Sequence, residues 1–476
     1  MTEKLSRKTK LAYGIAGAGD AAFYSMICTF ALFYFTTVAG INPALAGTIV
    51  AIGSVWDVIA CSVIGYISDN FRSRHGKRKP FVLGAALPLA LFSVMVFTAI
   101  DASPALKAIY YTVMLMLVWT AYSAYYVPFT AWGAELTHDY DERTLLRGIV
   151  YMFYNLGCAI GMLMPTIIVD FLVGLGKSQA SGWVWAVAIC GSFASLTIIL
   201  GAIFVKDNPS DNEETTEKEK KSLTERLYLV VDIAKNYYQI FKTRAARFLI
   251  LAGIFYLIAN AMMGANRMYF YTFNMGLSPK MISFVMALQL IVSTVLVPIV
   301  VKISNILDKR TTSILGLGLT GITMVIYGIF GIPNIPHIMI FTTIFGIGSI
   351  CYWQLVPSMM YDVCDADQLV NGEDRAGSII SFQSLAESLS EAVGVQLLGI
   401  LLSIAGFNGE LAVQSNTAMT GIHLCLTVLP SIFIFLSMFM VIRYPISKKM
   451  YLKIRKAIED RDAGKEVDLT EFSKLK

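Results

Sequence analysis

Asp20, Asp57, Glu387 and Glu391 stand inside long apolar runs of this 476-residue chain. A charged side chain at the centre of a bilayer costs about 2.5 to 3.5 kcal/mol on insertion scales, so one found there faces a cavity or a partner. A carboxylate so placed can accept a solute hydroxyl, neutralise a cation, or take up and release a proton. Asp20 lies about nine residues into the first apolar run and Asp57 about twelve into the second. At about 1.5 Å of rise per residue, both fall near mid-depth of a membrane-crossing helix. Each suits a transport site, the plainer reading being a buried structural pair. Gln383, Ser384, Glu387, Ser388 and Glu391 recur at spacings of three and four, which makes one polar stripe along a helix. Such a stripe lines a polar path or forms an interhelical hydrogen-bond seam. Trp353, beside Gln354, sets an indole in mid-run, where it can stack on the apolar face of a sugar ring or simply pack. Arg267 stands near the far end of its run, as a snorkelling anchor or an anion partner.

The elements that must position these residues are membrane spans. Hydrophobic residues make up 56% of the chain and charged residues 15%, with a mean hydropathy of +0.63, whereas a soluble domain carries about 25% charge. Spans of about 20 residues or more run from Leu11 to Val38, Leu45 to Ile67, Phe81 to Ile100, Ala108 to Val127, Ile149 to Val173 and Trp183 to Val205. A second set runs from Phe248 to Phe273, Met281 to Val301, Ser313 to Ile332, Ile338 to Met360, Ile379 to Ala405 and Met419 to Ile442. The expected organisation is an N-terminal six-helix half over 1–205, a charged cytoplasmic linker over 206–247, a C-terminal half over 248–443 and a tail over 444–476. Within the linker, Leu223 to Phe241 reads as an amphipathic helix at the interface.

The net charge of +5 is set by where the cations lie. Lys107, Lys177 and Lys280 are the basic residues of the odd-numbered connections, whereas Arg72, Arg74, Lys77, Arg78, Lys79, Arg143, Arg147, Lys309, Arg310 and the basic tail fall on the other side. The positive-inside rule then makes both termini cytoplasmic. The basic N-terminus precedes an apolar run too long for a signal-peptide core. The seven cysteines are scattered without ligand-like spacing and read as small packing residues. His75, His138, His337 and His423 are single and far apart, so no metal or catalytic cluster is expected. An integral-membrane enzyme lacks its chemistry here, and a receptor lacks an extramembrane domain. The pattern resembles that of the major facilitator fold, an all-α membrane protein with twelve helices in two halves around a midplane site.

Six motifs in order narrow this resemblance. They are K-L-A-Y-G at Lys10–Gly14, V-W-D-V-I at Val55–Ile59, G-Y-I-S-D-N-F-R-S-R-H-G-K-R-K-P at Gly65–Pro80, V-P-F at Val127–Phe129, D-E-R-T at Asp141–Thr144, and Y-D-V-C-D-A-D-Q-L-V-N-G-E-D-R-A-G at Tyr361–Gly377. Together they resemble the glycoside-pentoside-hexuronide:cation symporters over nearly the whole chain. The resemblance implies that Asp57 is the first carboxylate of a cation site, with Ser123 supplying a hydroxyl. It places Trp353, Gln383 and Ser384 on sugar-contacting positions. It also shows departures: the second cation carboxylate is Cys61, an amide ligand is Ala60, the two sugar-binding aspartates fall on Ala21, next to Asp20, and on Tyr126, and a lysine is Ser388.

The expectation is thus a secondary transporter of a sugar, glycoside or uronide in the inner membrane, a monomer that binds neither nucleic acid nor a cofactor. Its substrate residues would be Asp20, Tyr126, Thr130, Trp353, Gln383, Ser384, Glu387 and Ser388, and its coupling residues Asp57, Cys61, Ser123 and Glu391. A sodium cage looks incomplete, which makes a proton the more economical coupling cation. The alternative is a facilitative or exchange carrier of an amphipathic or anionic non-sugar solute. The basic run Arg72 to Lys79 is expected to lie near the acidic run Asp362 to Asp374 as a cytoplasmic gate that holds the outward-facing state closed on the inside, each exposed pair contributing about 0 to 1 kcal/mol.

Overall fold

The computed structural model describes residues 5–71, 73, 76–136, 140–205, 235–372, 375–462, 465 and 472. Among these the regular elements are all helical, and twelve are long and apolar enough to cross a membrane. The first six are α1 (Arg7–Thr37), α2 (Pro43–Asn70), α3 (Lys79–Val96), α4 (Pro104–Glu135), α5 (Tyr140–Gly174) and α6 (Gln179–Phe204). After them, α7 runs over Arg244–Tyr269 and ends in a π-helical turn, Phe270–Asn274. Next come α8 (Pro279–Leu307) and α9 (Lys309–Phe330). The tenth span, α10, is built from Ile335–Ile350, a second π-helical turn at Cys351–Leu355, and Val356–Asn371. It is followed by α11 (Ala376–Ile404), by α12 in two pieces (Asn416–Leu426 and Val428–Arg443), and by a tail helix, α13 (Lys448–Asp462).

Local chemistry sets many of these starts. Ser6, Asn42, Ser103, Ser178 and Asn334 each accept a backbone N–H of the first turn through the side chain, and Pro43 and Pro104 stand at first-turn positions where no amide hydrogen is needed. Several helices outrun their apolar spans. α5 begins at Tyr140 rather than Ile149, and α10 continues to Asn371 rather than Met360, because a helix can extend beyond the hydrocarbon into water, where hydropathy no longer marks it. Of the expected amphipathic linker helix, residues up to 234 lie outside the described residues, and 235–242 are helical. Tyr237 there stacks on Phe382 of α11 at 4.8 Å.

The chain forms two compact units. The first contains residues 1–215 with 264–288 and 395–423. Its centre is α1, buried nearly all round and packed most extensively against α5 and then α6. Small residues allow that approach, as close helix packing in lipid requires. A Cβ at Gly157 or Gly161 of α5 would collide with the carbonyl oxygens of Ala18 or Ala22, and one at Gly201 of α6 would lie 2.8 Å from the Ala12 carbonyl oxygen.

Three seams within this unit bind its second-half segments to α1, α2 and α5. Thr36 Oγ1 lies 2.7 Å from the Tyr269 hydroxyl, Gln396 Nε2 donates to Thr48 Oγ1 at 3.1 Å, and Thr166 Oγ1 lies 2.6 Å from Ser283 Oγ. Gly47 and Gly399 meet backbone to backbone in the α2–α11 seam. These contacts tie α7, α11 and α8 to α1, α2 and α5 within the unit.

The second unit contains 216–263, 289–394 and 424–476. Here α9 packs on α12, Ser437 Oγ donates to the Ala252 carbonyl of α7 at 2.7 Å, and Gly394 of α11 approaches the Ile258 carbonyl. The tail helix docks on the end of α10. Tyr451 donates to Asp365 Oδ2 at 3.0 Å, and Arg461 Nη1 to the Gln368 carbonyl at 3.1 Å.

Candidate functional site

The candidate residues fall into two clusters, one in each unit. In the first, α2 carries Asp57 and, one turn on, Cys61, so both side chains share a helix face. α4 brings Ser123 against them. Ser123 Oγ stands 2.8 Å from Asp57 Oδ1 and also 2.8 Å from the Trp119 carbonyl oxygen. A hydroxyl has one proton, so it serves one of these acceptors at a time. The Cys61 thiol is 3.7 Å from Asp57 Oδ1 and 3.4 Å from Ser123 Oγ. Trp56 Nε1 donates to Thr120 Oγ1 at 2.9 Å, which fixes the same two helices one position away. Asp57 thus has around it one hydroxyl and one thiol, and Ala60, three residues on, contributes only a buried methyl.

Asp20, on α1, is only 6% exposed. The Tyr122 hydroxyl of α4 is its hydrogen-bond partner, and Oδ1 has none. Burying a carboxylate oxygen without a partner is costly, so the position is poised for a donor. Around it are aromatic rings: Tyr24 meets Tyr122 at 5.9 Å and Trp119 at 6.0 Å. Tyr126 stacks on Tyr122 at 5.4 Å and 12° and is itself 38% exposed. Thr130, one turn further, turns its hydroxyl back to the Tyr126 and Val127 carbonyls at 3.0 Å; its proton is used within the helix. Residue type marks Asp20 and the family resemblance marks Tyr126, but the part of Tyr122 is visible only once α1 and α4 are side by side.

The second cluster joins α7, α10 and α11. Gln383 Nε2 donates to Glu387 Oε1 at 2.8 Å, and the Tyr352 hydroxyl donates to the same oxygen at 3.2 Å. Tyr352 stacks on Tyr256 of α7 at 4.0 Å and 14°, and Trp353 meets its edge at 5.4 Å. Both aromatics lie in the π-helical turn at Cys351–Leu355, and such turns recur at functional sites. Trp353 is 45% exposed, an open indole face beside a satisfied carboxylate. Glu391, one turn beyond Glu387, bears electrostatically on Tyr352 as well. Ser388 donates to the Ser384 carbonyl at 3.2 Å, and Ser384 is exposed. Tyr352 and Tyr256 are the residues sequence reasoning missed. Arg267 is half-buried on α7, its guanidinium lying back over Gly264.

The expected charged gate lies partly outside the described residues, which exclude Arg72, Arg74 and Asp374. Within each unit the described members make these contacts. Arg78 donates to Ser68 at 3.0 Å and Lys79 to the Ile203 and Val205 carbonyls at 3.3 Å. Asp362 pairs with Lys309 at 3.0 Å, Asp367 with Arg375 at 2.8 Å and Asp365 with Arg455 at 3.8 Å. Among the described residues no group of three or more His, Cys, Asp or Glu could hold a metal ion, and the cysteines are free thiols.

A family model described as MFS/sugar transport protein matches residues 12–448. The chain is 28% identical to an uncharacterized symporter of Synechocystis sp. over 98% of this chain and 99% of that one. It is 26% identical to an isoprimeverose transporter of Lactiplantibacillus pentosus over 92% and 88%. A solved bacterial homolog of the human lysosomal transporter Spinster superimposes with a TM-score of 0.68 at 14% identity, covering 94% of this chain and 97% of that one; it shares the fold.

Proposed function

We propose, since the chain belongs to the MFS/sugar transport protein family, that it moves a sugar, glycoside or uronide across the inner membrane by alternating access, linked to a proton. The coarser statement needs no proposal: this is a multi-pass membrane transporter and not an enzyme, and its relatives are symporters and sugar-type transporters.

The observation that favours the finer reading is the pairing of an open aromatic face with satisfied polar groups. Trp353 offers a flat apolar surface against Tyr352, and Tyr352 and Gln383 both donate to Glu387. In the other unit, Tyr126 offers a second open ring near the unpartnered oxygen of Asp20. A sugar has an apolar face and hydroxyl edges, and each cluster by itself offers groups that would take them. The similarity to an isoprimeverose transporter supports a carbohydrate.

The coupling cation follows from counting ligands. A hard metal cation needs several oxygens, and Asp57 is accompanied by a single hydroxyl and a thiol. A proton needs no cage. Ser123 can donate to the Asp57 carboxylate and, when that carboxyl is protonated, turn its own proton to the Trp119 carbonyl at the same distance. The neighbourhood therefore has a hydrogen-bonding answer to either state.

Binding by detergent-purified protein across a panel of glycosides, pentoses, hexuronides and amphipathic anions tests the substrate class. A carbohydrate ligand should bind, and Trp353→Ala should weaken it about tenfold or more, the scale of a lost aromatic stack, whereas the lipid-exposed Phe171→Ala should not. An anionic non-sugar ligand with no carbohydrate binding would replace the reading with the alternative.

Orientation rests on the cation bias, which puts both termini and the linker in the cytoplasm. The end of the first unit that carries the seams at Thr36, Thr48 and Thr166 would then face outward. In intact cells, an impermeant thiol reagent should label Asn408→Cys in the α11–α12 connection and spare Ser210→Cys. Labelling of the second from outside would invert the topology.

A further inference from the structure

At one rim of the second unit the last turns of α8 and α12 meet the starts of α9 and α13. Lys448 Nζ reaches the Asn305 carbonyl at 3.4 Å, tying the tail helix to the end of α8. Arg310 Nη2 donates to the Ile442 carbonyl at 2.6 Å, closing the C-terminal end of α12. Arg443, the last residue of α12, lays its guanidinium 4.9 Å from the Phe439 ring. The tail helix begins at Lys448, after four intervening residues, so it starts at the boundary where α12 leaves the hydrocarbon.

The charges at this rim are unbalanced. The nearby carboxylates are fewer than the cations: Asp308 stands at the α8–α9 turn, Asp362 takes both oxygens to Lys309, and Asp365 holds Tyr451 and Arg455. Exposed Lys302, Arg443, Lys448 and Lys449 remain as a cationic edge. Directly beside them the surface is apolar and faces outward, with Ile306 72% exposed and Leu307, Phe439 and Ile442 also exposed. On a membrane-spanning chain that surface faces acyl chains. A cationic edge at the headgroup level, continuous with an apolar wall below it, has the charge and polarity profile of one kind of molecule.

We infer that this rim binds the headgroup of an anionic phospholipid, its phosphate held by Lys302, Lys448 and Lys449 and its chains lying along Ile306 and Ile442. The inference rests on membrane insertion alone and stands apart from the transported solute. Basic pockets between helix ends are a recognised setting for such headgroups. Occupancy would also fasten α13, and with it the inner end of α10, to the membrane surface.

Native mass spectrometry of the full chain released from micelles with equimolar phosphatidylglycerol and phosphatidylcholine reads this out. Wild type should retain phosphatidylglycerol in preference. The triple variant Lys302→Gln, Lys448→Gln, Lys449→Gln should weaken it by about fivefold per lysine. The triple Lys→Arg variant should keep it, and Lys177→Gln with Lys280→Gln, at other connections, should behave as wild type. Thermal unfolding in phosphatidylcholine alone should be the same for all, which separates lost binding from lost folding. Equal retention of both lipids by wild type, an undiminished preference in the triple Gln variant, or an equal loss in the Lys177 and Lys280 control would overturn the proposal. So would displacement of the lipid by millimolar glycerol 3-phosphate, which would make this a soluble phosphate site.

Discussion

Asp57→Asn should abolish accumulation against a gradient while leaving exchange of solute intact. In proteoliposomes a pH gradient of one unit, acid outside, sustains at most about tenfold accumulation for one proton per solute; the variant should reach only an inside-to-outside ratio of one. Asparagine keeps the volume and an acceptor for the Ser123 hydroxyl 2.8 Å away, so the helix contact survives and the exchangeable proton does not. Replacing sodium by potassium should change wild-type uptake little, because Cys61 and Ala60 supply no oxygen ligand where a cage would need them. Strong stimulation by a sodium gradient at constant pH would refute proton linkage. Ser123→Ala should give a smaller loss than Asp57→Asn, since it removes one hydrogen bond, on the order of 1.5 to 3 kcal/mol to a charged partner, and leaves the carboxyl in place.

A large structural effect is expected at Gly157. A leucine there should leave no folded, monodisperse carrier, and even Gly157→Ala should lower the apparent melting temperature clearly. The added Cβ would meet the Ala18 carbonyl oxygen and lie 2.8 Å from its carbon and 2.9 Å from its Cα. These are backbone atoms of α1, which cannot rotate aside as a side chain does. Overpacking of ordinary cores costs about 1 to 3 kcal/mol, and a backbone obstacle belongs at or above that upper end. Gly148→Ala on the same helix is the control, because nothing lies within 4 Å of its Cβ position. Thermal unfolding with size-exclusion chromatography compares them; a Gly157→Leu carrier that elutes and melts like wild type would show that α1 and α5 can separate at little cost.

These two positions also mark what a single sequence can and cannot express. Asp57 is conspicuous because a charge in an apolar run has a high cost that must have a reason, and the twelve spans are conspicuous because lipid selects composition over about 20 residues at a time. Gly157 looks like any of 36 glycines, since its importance lies in Ala18, 139 positions away in number and adjacent only in space. Tyr352 was hidden for a related reason. In a helix surrounded by lipid and other helices, aromatic residues face every direction, and periodicity gives no preferred face on which to select the one that reaches Glu387. The seams at Thr36, Thr48 and Thr166 were equally silent, because small hydroxyl residues also satisfy their own helix carbonyls, as Thr130 and Ser388 do. Polar residues of low cost leave little trace in composition, whereas costly ones announce themselves.

The π-helical turns at Phe270–Asn274 and Cys351–Leu355 bear on descent as well as on shape. Such a turn holds one residue more than the α-helical path between the same two points, and it rotates everything beyond it by one position around the axis. An ancestral helix could have acquired it by a single-codon insertion, and losing that codon would return Trp353 to a different azimuth without touching either flanking segment. Relatives that carry and lack the extra residue would then agree on both sides of the bulge only if the pairing is allowed a gap inside a membrane span, where gaps are customarily forbidden. Position-by-position transfer of a tenth-helix residue from one carrier to another is sound only after that offset has been settled.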